Sequence, residues 1–390
     1  MSMESIFLNN LADIVSGYAI PSKDMQEEGT PIIKITNIKE DGFLDLDNTA
    51  KYSKPISKKL EKYLLRDKDV LVCMTGATIG KIARKQIVNG DFLVNQRVAI
   101  IRAKKPKLQD FIYYALSLPS FRKYTEVVGY GAAQPNISSS SIGKYNFLSV
   151  SNERVQHRIA SILSTYDSLI ENNTKRIRLL EKMAENIYKE WFVRFRFPGH
   201  ENVEMENGLP KGWKRGSLSD VCEFKRGKNI TSSEMQEGNV PVISAGLEPS
   251  GYHSCSNVRG VNVTMSSSGA NAGYIAIHYS DIWAADCSYI EESTTGNIYY
   301  VYELLNNIRT VINNFQRGAA QPHVYPKDVN RIKLILPSKE LMLKANGRLE
   351  IMHKEIYNLQ KQNSLLARQR DLLLPRLMSG KLEVKEELLE

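Results

Sequence analysis

FIYYALSLPSFRKYTEVVGYGAAQPNISSSSIGKYNFLSV, residues Phe111 to Val150, decides the fold, because the chain writes it a second time. It aligns without gaps on IYYVYELLNNIRTVINNFQRGAAQPHVYPKDVNRIKLILP, residues Ile298 to Pro337, at a constant offset of 187 (298 against 111). The pentapeptide Gly-Ala-Ala-Gln-Pro recurs unchanged, at Gly131 to Pro135 and at Gly318 to Pro322. Upstream, LADIV (11–15) matches LSDVC (218–222), GTPIIKI (29–35) matches GNVPVIS (238–244), and TGATIGKI (75–82) matches SGANAGYI (268–275). The offsets there vary, so insertions separate the two upstream parts. A repeat of this length is one structural unit used twice, and every motif inside it has a counterpart against which to be judged.

Each copy reads first as short β-rich runs, PIIKIT, DVLVCM and VAIIRA in one and VPVIS, VNVTM and IWAADCSYI in the other. An amphipathic helix, the GAAQP loop and a last strand follow, which makes each unit α+β. A long helical stretch with few breakers comes next. In the first, Ile159, Leu163, Tyr166, Ile170, Asn173, Ile177, Leu180, Ala184, Ile187 and Trp191 keep a 4-3 spacing. The second gives Ala345, Leu349, Met352, Ile356, Leu359, Asn363, Leu366, Arg370, Leu373 and Leu377. Run antiparallel, the ten layers set Asn173 opposite Asn363, Trp191 beside Ala345 and Ala184 beside Met352. A buried Asn pair fixes register, because a slip leaves an amide against hydrocarbon; a partly wet edge is the alternative. Pro375 is expected to bend the second helix, and Arg370 to weaken that end of the seam. The expected fold is therefore α+β, with two repeated β-rich domains separated by two long helices packed as an antiparallel coiled coil. The expected divisions are 1–150, 151–208 (first helix and crossing loop), 209–337, and 338–390 (second helix and tail).

The 390 residues and 42% hydrophobic content allow two domains with buried cores. A formal net charge of +9 suits a partner that is a polyanion. Cys73, Cys222, Cys255 and Cys287 lie far apart with no C-x-x-C pair, which argues against a zinc site or a disulfide framework and fits a cytoplasmic setting. The N-terminal residues lack a signal-peptide pattern, and no apolar run is long enough to span a membrane.

TGATIGK (75–81) superficially resembles a phosphate loop, but only three residues separate Gly76 from Gly80 and Ile82 follows Lys81. Its counterpart SGANAGY has no Lys. Both read better as tight turns that let backbone and small polar groups such as Thr75, Ser267 and Asn271 approach a ligand, or as plain hairpin turns. Gln134 and Gln321 of the GAAQP loops, with Asn136 and His323 beside them, either present hydrogen-bonding groups to a base edge or tie down the loop. Identity of the Gln in both copies favours the loop role. Residues that differ between copies are better readers: Asn95, Arg97 and Tyr130 against Asp286, Ser288 and Arg317. Lys34, Lys81, Arg226 and Lys228 suit phosphate contact.

Catalytic signatures are missing from the sequence. It has no N-P-P-F/Y or D-P-P-Y tetrad for base methylation, no H-E-x-x-H and no G-x-S-x-G. The E-x-K at Glu383 to Lys385 lies in an acidic tail. No catalysis, cofactor or metal of its own is expected.

Two β-rich domains with G-x-x-Q-P loops, each followed by a long helix, and a mid-chain LPKGWKRGSLSDV (209–221) resemble the specificity subunit of type I restriction-modification enzymes. The resemblance covers nearly the whole chain. It implies that each repeat is a target recognition domain for one half of a split double-stranded DNA sequence. It further implies that the helices space the half-sites and dock methyltransferase subunits, which carry S-adenosylmethionine, and that motor-nuclease subunits complete the restriction form. About 50 Å of helix from Ile159 to Trp191 is enough for half-sites ~34 Å apart. The rival readings are a duplicated protein-binding adaptor with no DNA readout and an enzyme of unfamiliar type.

Overall fold

The computed structural model describes residues 3–39, 42, 44–46, 49–84, 90–130, 135–318 and 321–384. The chain divides into two compact units, Met1–Glu171 with Ser364–Glu390, and Asn172–Asn363. Each unit combines one β-rich repeat with part of each long helix.

In the first unit an antiparallel sheet runs in the order Ala12–Ser16, Val98–Ala103, Val70–Cys73, Ile82–Arg84. Its central strand VLVC is buried at every position. Val70 and Val72 point into a core with Phe111, Tyr114, Phe121 and Ile142 of the helical layer. Leu71 and Cys73 point the other way, to a second core with Ile33, Val94, Val98 and Ile100. A strand covered on both faces must be apolar throughout, which is why this segment reads as an unbroken run. A smaller sheet supplies that second cover, with Thr30–Ile33 pairing in parallel to Leu93–Val94. The second unit repeats the main sheet in the order Lys225–Arg226, Cys287–Glu291, Asn262–Ser266, Ile275–His278, and again pairs Val240–Ile243 in parallel with Trp283–Ala284. Here one face of the central strand is polar. Thr264 meets His278 at 2.9 Å and Ser266 bonds the Ala245 carbonyl at 3.0 Å.

The long helices are Glu153–Tyr188 and Lys339–Met378. All twenty seam positions are buried or half-buried, whereas Leu169, Leu179, Met183, Leu343, Ile351, Leu365 and Leu372 are exposed. Side-chain bonds run antiparallel within each unit: Asp167 to Arg370 in the first, and Asn173 to Gln362 and Arg176 to Glu355 in the second.

Two expectations about the helices need correction. Asn173 and Asn363 do not bond each other. The Asn173 Nδ2 donates to Gln362 Oε1, and the Asn363 Nδ2 to Thr174 Oγ, both at 3.4 Å, so each amide meets the neighbour of the other. Second, Trp191 lies in a π-turn, Lys189–Val193, beyond the α-helix proper. That turn carries Trp191 and Phe192 into the core that also holds Ala184 and Ala345, with Met352 packed against it.

Each repeat is fastened to its helices by a polar joint. In the first unit Asp167 accepts from Arg370, from Arg84 at 3.2 Å and from the Tyr114 hydroxyl at 2.5 Å. In the second, the buried His353 ring lies 2.9 Å from the Tyr279 hydroxyl and 3.2 Å from Glu303.

Candidate nucleic-acid interface

Equivalent backbone hydrogen bonds build the same edge in both units. In the first, Gly76 N–H donates to the Pro135 carbonyl at 2.9 Å and Ile137 N–H to that of Met74 at 2.9 Å, so the glycine-rich turn is laced to the GAAQP exit. Met74 N–H then donates to Arg97 and Gly17 N–H to Val98, each at 2.9 Å. In the second, Gly269 donates to Pro322 and Val324 to Ser267 at 3.0 Å, Ser267 to Asp286 at 3.4 Å, and Gly227 to Cys287 at 2.9 Å. The two motifs found separately in the sequence therefore form one structure, with the end of the first sheet strand as its third side.

The glycines have positional reasons. Gly76 and Gly80, like Gly269 and Gly273, hold φ between 69° and 84°, where a side chain is strained. A Cβ on Gly17 would lie 2.4 Å from the carbonyl oxygens of Val94 and Asn95, and one on Gly227 would lie 2.5 Å from that of Ala285. The strand ends can approach this closely only without side chains.

On this shared edge the units present different groups. Arg97 and Asn136 are exposed in the first, and Tyr130, which ends the helix Pro119–Gly129, is 88% exposed. Asn95 is half-buried and its carboxamide oxygen accepts from Arg97 N–H at 3.2 Å. Lys34 directs its ammonium to the Met25 sulfur at 3.4 Å. Lys81 instead lines a cavity of about 500 Å³ with Gly80, Tyr113 and Arg122. Gln134 lies outside the described residues. In the second unit Arg226, Lys228, Arg317 and Gln321 are exposed and His323 is half-buried. Arg226 pairs with Asp286 at 2.7 Å and Arg317 with Asp328 at 2.9 Å. Asn271 donates to the Ala245 carbonyl at 3.4 Å.

Three expected contact residues are placed where they cannot serve. Ser267 and Ser288 are fully buried, in runs where Asn262 to Ser268 and Cys287 to Ser288 are enclosed at every position. The Thr75 hydroxyl is also shielded, with no partner among the described residues. Sequence reasoning missed Ser268, whose hydroxyl bonds the Asp286 carboxylate. The TGAT/SGAN match aligns it with Thr75, which was a usable signal.

Among the described residues no group of three or more His, Cys, Asp or Glu could hold a metal ion. Burial pushes the Cys222 and Cys287 thiols up to about 12, far from thiolate chemistry. No helix among the described residues is long and apolar enough to cross a membrane.

One scaffold used twice, with different polar groups set on the same backbone edge, is the plan of a duplicated recognition protein. The type I restriction modification DNA specificity domain model matches residues 2–182 and 210–363, and the chain belongs to that family. Its role is DNA sequence specificity within a type I restriction-modification system. It is 25% identical over 344 residues to the type I restriction enzyme MjaIX specificity subunit of Methanocaldococcus jannaschii, covering 82% of this chain and 79% of that one. It is also 25% identical over 317 residues to a candidate type I specificity subunit of Mycoplasma genitalium, covering 80% and 81%. The crystal structure of a type I restriction-modification S subunit from M. genitalium shares the fold, with a TM-score of 0.63 at 21% identity over 98% of this chain and 97% of that one.

Proposed function

We propose that the chain is the non-catalytic reader of a bipartite, asymmetric double-stranded DNA target, with residues 1–150 reading one half-site and residues 209–337 the other. The observation that carries this reading is the matched edge. Equivalent backbone bonds hold Asn136 beside the glycine-rich turn in one copy and His323 in the same place in the other. A common frame with different side chains is what two different half-sites require, since base edges are distinguished by the donors and acceptors set against them. Arg97, Lys228 and Lys34 supply the phosphate contacts that fix orientation.

The paired helices act as the spacer, and their exposed outer leucines, with Met183 and Ile351, are the docking faces for methyltransferase subunits, to which restriction subunits add. Exposed apolar side chains in this number on two helices mark a partner surface. A mobility-shift selection from random duplexes, with the chain co-expressed with its methyltransferase subunit, tests the proposal. Two short, unlike half-sites at a fixed gap are expected. An intact complex that enriches no sequence would favour a protein-binding adaptor instead.

A further inference from the structure

The two copies reverse their chemistry at one pair of equivalent positions. Arg226 precedes Gly227 as Ser16 precedes Gly17, and Asp286 takes the backbone bond that Arg97 takes in the first copy. The first domain thus has a hydroxyl on the strand and a guanidinium across from it, while the second has a guanidinium on the strand and a carboxylate across from it. Arg97 is exposed and has no ion pair to a described residue. Arg226 is held: its Nη2 lies 2.7 Å from Asp286 Oδ1, and the other carboxylate oxygen accepts the Ser268 hydroxyl.

We propose that Arg226 is a base-reading side chain of the second domain, directed at guanine, and that Asp286 is the positioning residue that aims it; this rests on the DNA-specificity reading above. Stability does not explain the pair, because both side chains remain substantially exposed, at 46% and 30%, and such pairs contribute little. A phosphate contact does not explain it either. The pair is close to neutral, so it releases few counterions, and a phosphate approaching the guanidinium meets the Asp286 carboxylate. The guanine O6 and N7 acceptors are uncharged and match two N–H groups of the guanidinium fork, which Asp286 occupies on one side only. Fixing the long side chain beforehand also removes ordering entropy from the binding step. Arg97, with no carboxylate beside it, behaves as a phosphate contact.

The test uses the complex with its methyltransferase subunit and repeats the duplex selection and the salt dependence of binding for four chains. Arg226→Ala is expected to abolish a guanine preference at one position of one half-site, weakening the preferred duplex about ten- to a hundredfold, with the log-salt slope unchanged. Arg226→Lys keeps charge but not the fork and is expected not to restore the preference, which separates base reading from charge alone. Arg97→Ala is expected to leave base preferences intact and to lower the slope by about one. Unaltered preferences in Arg226→Ala, or uniform weakening with a reduced slope, would overturn the assignment. A wild-type complex that enriches no sequence overturns the specificity reading and the assignment with it.

Discussion

Asp167 of the first long helix accepts a hydrogen bond from Arg370 of the second at 2.6 Å, and the same carboxylate also holds Arg84 and Tyr114 of the first repeat. Burial disfavours the charged Arg370 guanidinium, but Asp167, helped by Asp371, more than offsets it and keeps its pKa above the ordinary arginine value. Burial and then Asp167 hold the Tyr114 phenol well above its usual range, so it remains a donor. Removing the carboxylate leaves two half-buried cations without their common partner. Asp167→Ala should therefore cost about 2–3 kcal/mol, seen as a lower unfolding midpoint, and an unchanged midpoint would show the joint to be incidental.

Asn363 is the weak point of the seam. Its Nδ2 reaches Thr174 only at 3.4 Å, and its Oδ1 is buried with no partner among the described residues. An unsatisfied buried carbonyl costs about 1–3 kcal/mol, so Asn363→Leu is expected to raise the thermal midpoint. A fall in midpoint would mean that the amide is satisfied in solution.

His278 gives the second repeat a pH dependence. Burial lowers its pKa to about 4 beside the Thr264 hydroxyl. The unfolded chain takes up a proton through pH 6.5 while the folded one does not until about 4. Stability is thus full above pH 6.5 and lost as pH falls toward 4, by roughly 2–3 kcal/mol at pH 4.5. Denaturant unfolding at pH 7 and 4.5 should show a smaller difference for His278→Gln than for the wild type. Equal differences would place the titration elsewhere.

The repeat and the two helices were legible because they rest on local pattern: a gapless match, and a 4-3 spacing that needs no tertiary knowledge. The joining of the glycine-rich turn to the GAAQP loop was not, since both motifs were visible but only backbone pairing across about 60 residues brings Gly76 to Pro135. The same holds for Arg226 and Asp286, which meet because Lys225–Arg226 pairs with Cys287–Glu291. Burial misled because small polar residues are enclosed in a run: Asn262 to Ser268 are all buried, and nothing local marks Ser268 as the residue whose hydroxyl reaches Asp286. The heptad pattern located the two asparagines in their layers, but layer geometry alone cannot say that each amide will prefer the other's neighbour.

The central claim is that each repeat reads its own half-site on a shared frame, and domain exchange tests it most directly. Residues 1–150 would be replaced by the matching segment of a related specificity subunit, and the selected duplexes compared with those of the parent complex. One half-site should change to a new sequence while the other half-site stays as it was. A chimera that folds and assembles yet alters both half-sites together, or neither, would contradict the account.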